Sequence, residues 1–250
     1  MSAKKNLNED EGQPLIEHLI ELRNRILRCL GAVVIIFLPL FYFANEIYAY
    51  ISEPLRAFLP EGASMIATEV ASPFITPFKL SLFMALFCAM PYILHQIWRF
   101  IAPGLYVNEK QIAFPLLISS VLLFYAGIAF AFYVAFPLMF GFFASKVPDG
   151  VVMMTDINRY LDFVLKLCFA FGVAFEIPIA TMLLIWTGAT DVKSLRRKRP
   201  FVIVGCFVVG MLLTPPDVIS QILLAVPMWV LFELGIIFSR FMKPGTNPGE

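Results

Sequence analysis

The chain has 250 residues, 60% of them hydrophobic and 15% charged, with a net charge of +1 and a mean hydropathy of +0.81. A soluble globular domain carries about 25% charged residues, so this balance excludes an ordinary soluble enzyme and points to a multispanning membrane protein. The four cysteines, Cys29, Cys88, Cys168 and Cys206, lie in separate apolar segments without paired spacing, the pattern of small buried hydrophobes rather than of a disulfide frame or a metal site.

Residues 1–13 are polar and read as a flexible tail. The polar lead of about 28 residues is too long for the n-region of a cleavable signal, so the first apolar run is expected to stay as a helix. Pro14 opens an amphipathic stretch in which Leu15, Leu19, Leu22 and Ile26 share one stripe and Glu17, Glu21, Asn24 and Arg28 another. Such a helix is expected to lie on the membrane surface and then turn into a first span over 29–45. Residues 46–75 form the longest loop, with Pro54, Pro60 and Pro73 and short amphipathic pieces near 46–58 and 70–76. A second span over 77–98 is interrupted by Pro91. The uncharged run 111–145 would extend for about 50 Å, more than one span needs and less than two need. It is read as a third span over 112–136 broken by Pro137, continuing at the far surface.

The fourth span, 161–186, organises the rest. Near its middle stands Glu176, two residues before Pro178. An acid at membrane depth is costly and faces protein or a watery cavity, and the proline predicts a kink beside it. Two readings stand at this point: a protonated acid bonded to a neighbouring helix, or a contact point for another span or a substrate. Lys166, near the outer end of the same span, can snorkel to the interface. After the basic loop KSLRRKR come two apolar runs, 200–213 and 218–238, separated by Thr214-Pro215-Pro216-Asp217. Fourteen helical residues reach only about 21 Å, so a partner or a thinned membrane is expected there. Asp217 is placed to cap the last helix.

Lysines and arginines fix the orientation. Fourteen fall in the N-terminal segment, the loops 99–111 and 187–199 and the C-terminal tail, against Arg56, Lys146 and Arg159 with Lys79 and Lys166 on the other side. The positive-inside rule then puts both termini in the cytoplasm with six spans. No nucleotide-binding signature occurs, and His18 and His95 lie in different segments without a visible catalytic partner. On the cytoplasmic face, Glu21 and Glu109 are surface salt-bridge partners if taken singly. Taken together, two such carboxylates can grip a pair of guanidinium groups.

The chain resembles the TatC family, the multispanning receptor subunits of the twin-arginine protein translocase, from about residue 14 to 242. The landmarks are His18-Leu19-Ile20-Glu21-Leu22-Arg23-Asn24-Arg25, Ser72-Pro73-Phe74, and Phe100 with Pro103-Gly104-Leu105 and Glu109. Further along come Phe171-Gly172-Val173-Ala174-Phe175-Glu176-Ile177-Pro178 and Thr214-Pro215-Pro216-Asp217 with Ser220-Gln221. The resemblance implies an all-α, glove-shaped membrane protein of the bacterial inner membrane, with a domain over 14–242 and short cytoplasmic tails at 1–13 and 243–250. It implies recognition of the Arg-Arg motif of folded precursors by Glu21, Arg23, Phe100 and Glu109. It also implies a polar role for Glu176 in the concave membrane face. The implied partners are the single-span TatA and TatB subunits, docking around Met211, Thr214, Asp217 and Gln221, together with lipid and further copies of the chain. Transport would be driven by the proton-motive force, without a cofactor, metal or nucleic acid. A proton-coupled solute carrier working through Glu176 and a purely structural scaffold are the alternative readings. The loop Val107-Asn108-Glu109-Lys110-Gln111 is less basic than in close relatives.

Overall fold

The computed structural model describes residues 12–52, 65–101, 110–146, 154–214 and 218–239. Glu109, the Pro215-Pro216-Asp217 turn, Pro54, Pro60 and both tails lie outside the described residues. In chain order the helices are α1 (Gly12–Tyr42), α2 (Ala44–Ile51), α3 (Ser72–Ile101) and α4 (Lys110–Phe130), which runs through a π-turn at Ala131–Ala135 into α5 (Phe136–Ser145). There follow α6 (Ile157–Ala174), α7 (Ile177–Trp186), α8 (Val192–Arg197), α9 (Arg199–Leu213) and α10 (Val218–Ser239). Among the described residues five stretches are long and apolar enough to cross a membrane, and Arg199–Leu213 is a further, shorter apolar helix.

Three expectations change. The amphipathic stretch and the first span form one unbroken helix, α1, so the chain does not turn where polarity gives way to hydrocarbon. The second span runs from Ser72 to Ile101 straight through Pro91. The third continues past Pro137 to Ser145, because the π-turn just before that proline absorbs its missing hydrogen bond. The fourth span does break as expected, at Phe175 and Glu176, and restarts with Pro178 in the first turn of α7.

Packing uses small residues, as spans in lipid require. A Cβ on Gly127 of α4 would run into the Phe171 carbonyl of α6, and one on Gly235 of α10 would meet Thr181 and the Pro178 Cα of α7. Around these approaches lies a core of Leu80, Phe124, Phe136, Leu165 and Phe171. Polar ties hold the end away from the chain's start. Tyr160 donates to the Ile51 carbonyl at 2.8 Å, and Lys79 donates to Asn158 and Asp162 at 3.0 Å. Asp156 caps α6, accepting from the Asn158 and Arg159 N–H groups, while its second oxygen takes the Thr68 N–H and hydroxyl. The Thr68 hydroxyl first, and then the Arg159 and Thr68 N–H groups, hold the Asp156 carboxyl well below the usual carboxylate range.

Candidate functional site

At the Lys- and Arg-rich end, α1 and α3 come together through one guanidinium. Arg25 donates from Nε to Glu21 Oε1 at 3.0 Å, and its Nη2 also bonds that oxygen. The same group reaches α3, to Gln96 Oε1 at 3.1 Å and to the Arg99 carbonyl at 3.3 Å. One turn earlier, His18 stacks on Phe100 with ring centroids 4.2 Å apart. Glu21 is thus held between the His18–Phe100 stack and Arg25, one carboxylate oxygen engaged. Its Oε2 has His18 Nδ1 at 4.0 Å and accepts no hydrogen bond among the described residues. That is half of a bidentate acceptor, presented at the surface.

The structure therefore brings Glu21 and Phe100 into one patch. Arg23 is exposed, bonds Asn24 at 3.4 Å, and lies about 200° around α1 from Glu21, outside that patch. Glu109 lies outside the described residues. His18, Arg25 and Gln96 belong to the patch and were not singled out as functional from sequence. Arg25 was legible as the i+4 partner of Glu21, whereas Gln96 is distant in the chain and gave no signal.

Glu176 sits at the break between α6 and α7. Ser120 of α4 donates its hydroxyl to Glu176 Oε2, while Oε1 is buried without a partner among the described residues. The acid is therefore bonded to a neighbouring helix, with acceptor or donor capacity left over. At the α9–α10 hairpin, Gln221 donates to the Phe207 carbonyl at 2.8 Å and packs on Gly210, while Thr214 donates to the Gly210 carbonyl at 2.8 Å. Gln221 staples α10 to α9, and Thr214 closes the last turn of α9. Met211, by contrast, is exposed beside Leu212, Val208 and Val204, an apolar stripe at helical spacing. Among the described residues no group of three His, Cys, Asp or Glu could hold a metal ion.

Comparison with known proteins places these features in a family. The family model described as Sec-independent protein translocase protein (TatC) matches residues 17–227. The Sec-independent protein translocase protein TatC of Azotobacter chroococcum is 66% identical over 241 residues, covering 96% of this chain and 94% of that protein. The Escherichia coli K12 protein of the same name is 58% identical over 245 residues, covering 98% and 95%. A crystal structure of the twin arginine translocase receptor TatC superposes with a TM-score of 0.81 at 35% identity, covering 90% of this chain and 98% of that one.

Proposed function

The chain belongs to the TatC family of Sec-independent protein translocase proteins, and from that premise we propose that it is the receptor for twin-arginine signal peptides in a Tat translocase. It is a multi-pass membrane protein of that translocase and acts as a transport subunit, not as an enzyme. The observation that carries the receptor reading is the half-engaged carboxylate of Glu21 beside Phe100, at the end where Lys and Arg concentrate. A peptide guanidinium can take the open oxygen of Glu21 while Glu109, nine residues on from Phe100 in the sequence, takes the second arginine. The His18–Phe100 stack offers a flat apolar wall to the arginine planes. Arg23, exposed on the far side of α1 from Glu21, would meet the signal peptide only where the peptide passes round that helix.

The positive-inside count supports both termini in the cytoplasm, which puts the patch where precursors arrive. Single-span TatA and TatB subunits dock on the α9–α10 edge around Met211, Thr214, Asp217 and Gln221. Transport draws on the proton-motive force, which suits a chain without a nucleotide motif.

The test is binding of a twin-arginine signal peptide to the full-length protein in nanodiscs. Glu21→Ala and Glu109→Ala should each weaken it about ten-fold or more, because a charge-assisted fork contact is lost. A Lys-Lys peptide should bind wild type weakly, since an ammonium cannot make the fork. Undiminished affinity in both variants would overturn the reading.

A further inference from the structure

A groove of about 540 Å³ opens between α3, α6, α7, α9 and α10. Phe83 and Leu86, Val173 and Ile177, and Val209 and Leu213 line it, and apart from Lys166 no lining residue is charged. Lys166 is exposed and has no ion pair or hydrogen bond among the described residues. The acid one turn back on its own helix, Asp162, is taken by Lys79 at 3.0 Å. An unpaired ammonium at the head of an apolar channel can take a counter-charge that is attached to hydrocarbon.

Its level along the helices says where that charge comes from. Helices α6 and α7 run from Ile157 to Trp186, 30 residues, so they reach about 45 Å against a hydrocarbon layer of about 30 Å. Ile185 and Val202 pack against one cluster of Leu195, Phe232 and Ile236, and Val209 and Leu213 line the same groove as Val173 and Ala174, which sets α9 in register with α7 and α6. Eleven residues on from Val202, α9 ends at Leu213, and the same count back from Ile185 reaches Ala174. Lys166 stands about two turns beyond that end, roughly 12 Å, and its stem can extend further. Its ammonium therefore comes to headgroup level on the side where α9 ends, and the groove below it lies at acyl-chain level.

We propose that this groove holds one phospholipid with an anionic headgroup, its phosphate on Lys166 and an acyl chain along Phe83, Leu86, Val173 and Ile177. Length mismatch favours this occupant, because α9 is too short for the layer and a lipid chain lying against Val209 and Leu213 covers its exposed end. A headgroup without its own cation fits best, since choline or ethanolamine would bring a positive charge beside the ammonium.

The test is native mass spectrometry of the delipidated full-length protein, titrated with dioleoyl phosphatidylglycerol or dioleoyl phosphatidylcholine. Wild type should retain one phosphatidylglycerol with about five-fold preference over phosphatidylcholine. Lys166→Gln should abolish that preference, and Lys166→Arg should keep it. Val173→Trp, which fills the groove and leaves Lys166 in place, should weaken retention of both lipids. Equal phosphatidylglycerol retention by wild type and Lys166→Gln would overturn the proposal. So would undiminished retention of both lipids by Val173→Trp, which would make the lysine a surface charge without a groove. A carbodiimide crosslink from Lys166 to an acidic residue of a co-purified single-span subunit, with no lipid retained, would assign the groove to that subunit instead.

Discussion

Glu176 has two carboxyl oxygens and, among the described residues, one partner, the Ser120 hydroxyl. A lone acid inside a bilayer must be neutral, solvated or partnered, and a protonated acid can donate to a group from outside the fold. Glutamine keeps a donor and an acceptor in nearly the same volume, whereas alanine removes both and leaves Ser120 unanswered. Export by Glu176→Gln should therefore remain substantial and export by Glu176→Ala should fall further, with signal-peptide binding at the cytoplasmic face largely kept. A proton carrier would fail as completely with Gln as with Ala, so export assays normalised to protein level separate the two readings. Asp156 makes a different kind of prediction. Its carboxylate is held below the ordinary range in the folded protein, chiefly by the Thr68 hydroxyl, so it contributes stability that is fully present above the unfolded value near pH 4. That contribution is lost as pH falls further. The join between residues 65–72 and α6 should loosen below about pH 4 in wild type, while Asp156→Asn should show a flatter acid limb, read by hydrogen exchange at Ile66 and Ile157.

At the scale of helices, glycine sets how close the spans come. A side chain at Gly127 would meet the backbone carbonyl of Phe171, which cannot swing aside, whereas nothing lies within 4 Å of a Cβ at Gly31. Gly127→Val should lower stability by about 1–3 kcal/mol through overpacking, and Gly31→Val should leave melting in micelles nearly unchanged. The helices themselves were legible because lipid demands long apolar runs, and the break at Glu176-Ile177-Pro178 was legible because proline removes a donor. Pro91 and Pro137 misled for the same reason. In a bilayer, backbone groups freed by proline have no water to turn to, so a helix keeps going wherever a local adjustment satisfies them, here the π-turn before Pro137. The periodicity of residues 14–28 showed an amphipathic face but carried nothing about where the helix ends, and α1 continues unbroken into the span. The contacts that build the candidate sites, Arg25 to Gln96 and Glu176 to Ser120, join residues 71 and 56 positions apart. Single-chain spacing has no means of pairing them.

For the molecule as a whole, the weak point of the membrane-facing surface is the α9 edge. Fifteen residues of α9 reach about 22 Å, so one end of this helix stays below the level of its neighbours. Gln221 spends its amide on the Phe207 carbonyl across the hairpin, Thr214 its hydroxyl on the last turn of α9, and Gly210 lets Gln221 pack closely. The stripe Val204, Val208, Met211 and Leu212 is left facing outward, with Leu212 75% exposed. A neighbouring span laid on this stripe would bury apolar contacts and make up the missing length. In a background with Cys29, Cys88, Cys168 and Cys206 replaced, Met211→Cys should form disulfide crosslinks to a cysteine in a TatA or TatB span. Gln221→Cys, half-buried at the seam, should crosslink less, and Thr214→Cys, enclosed by the hairpin, least of the three. That order follows from which side chains point away from the hairpin, and it distinguishes docking on the stripe from insertion between the two helices, which would reverse it. If Met211→Cys in the assembled complex reacts with lipid-phase probes and forms no crosslink, this edge faces lipid and the partner spans bind elsewhere.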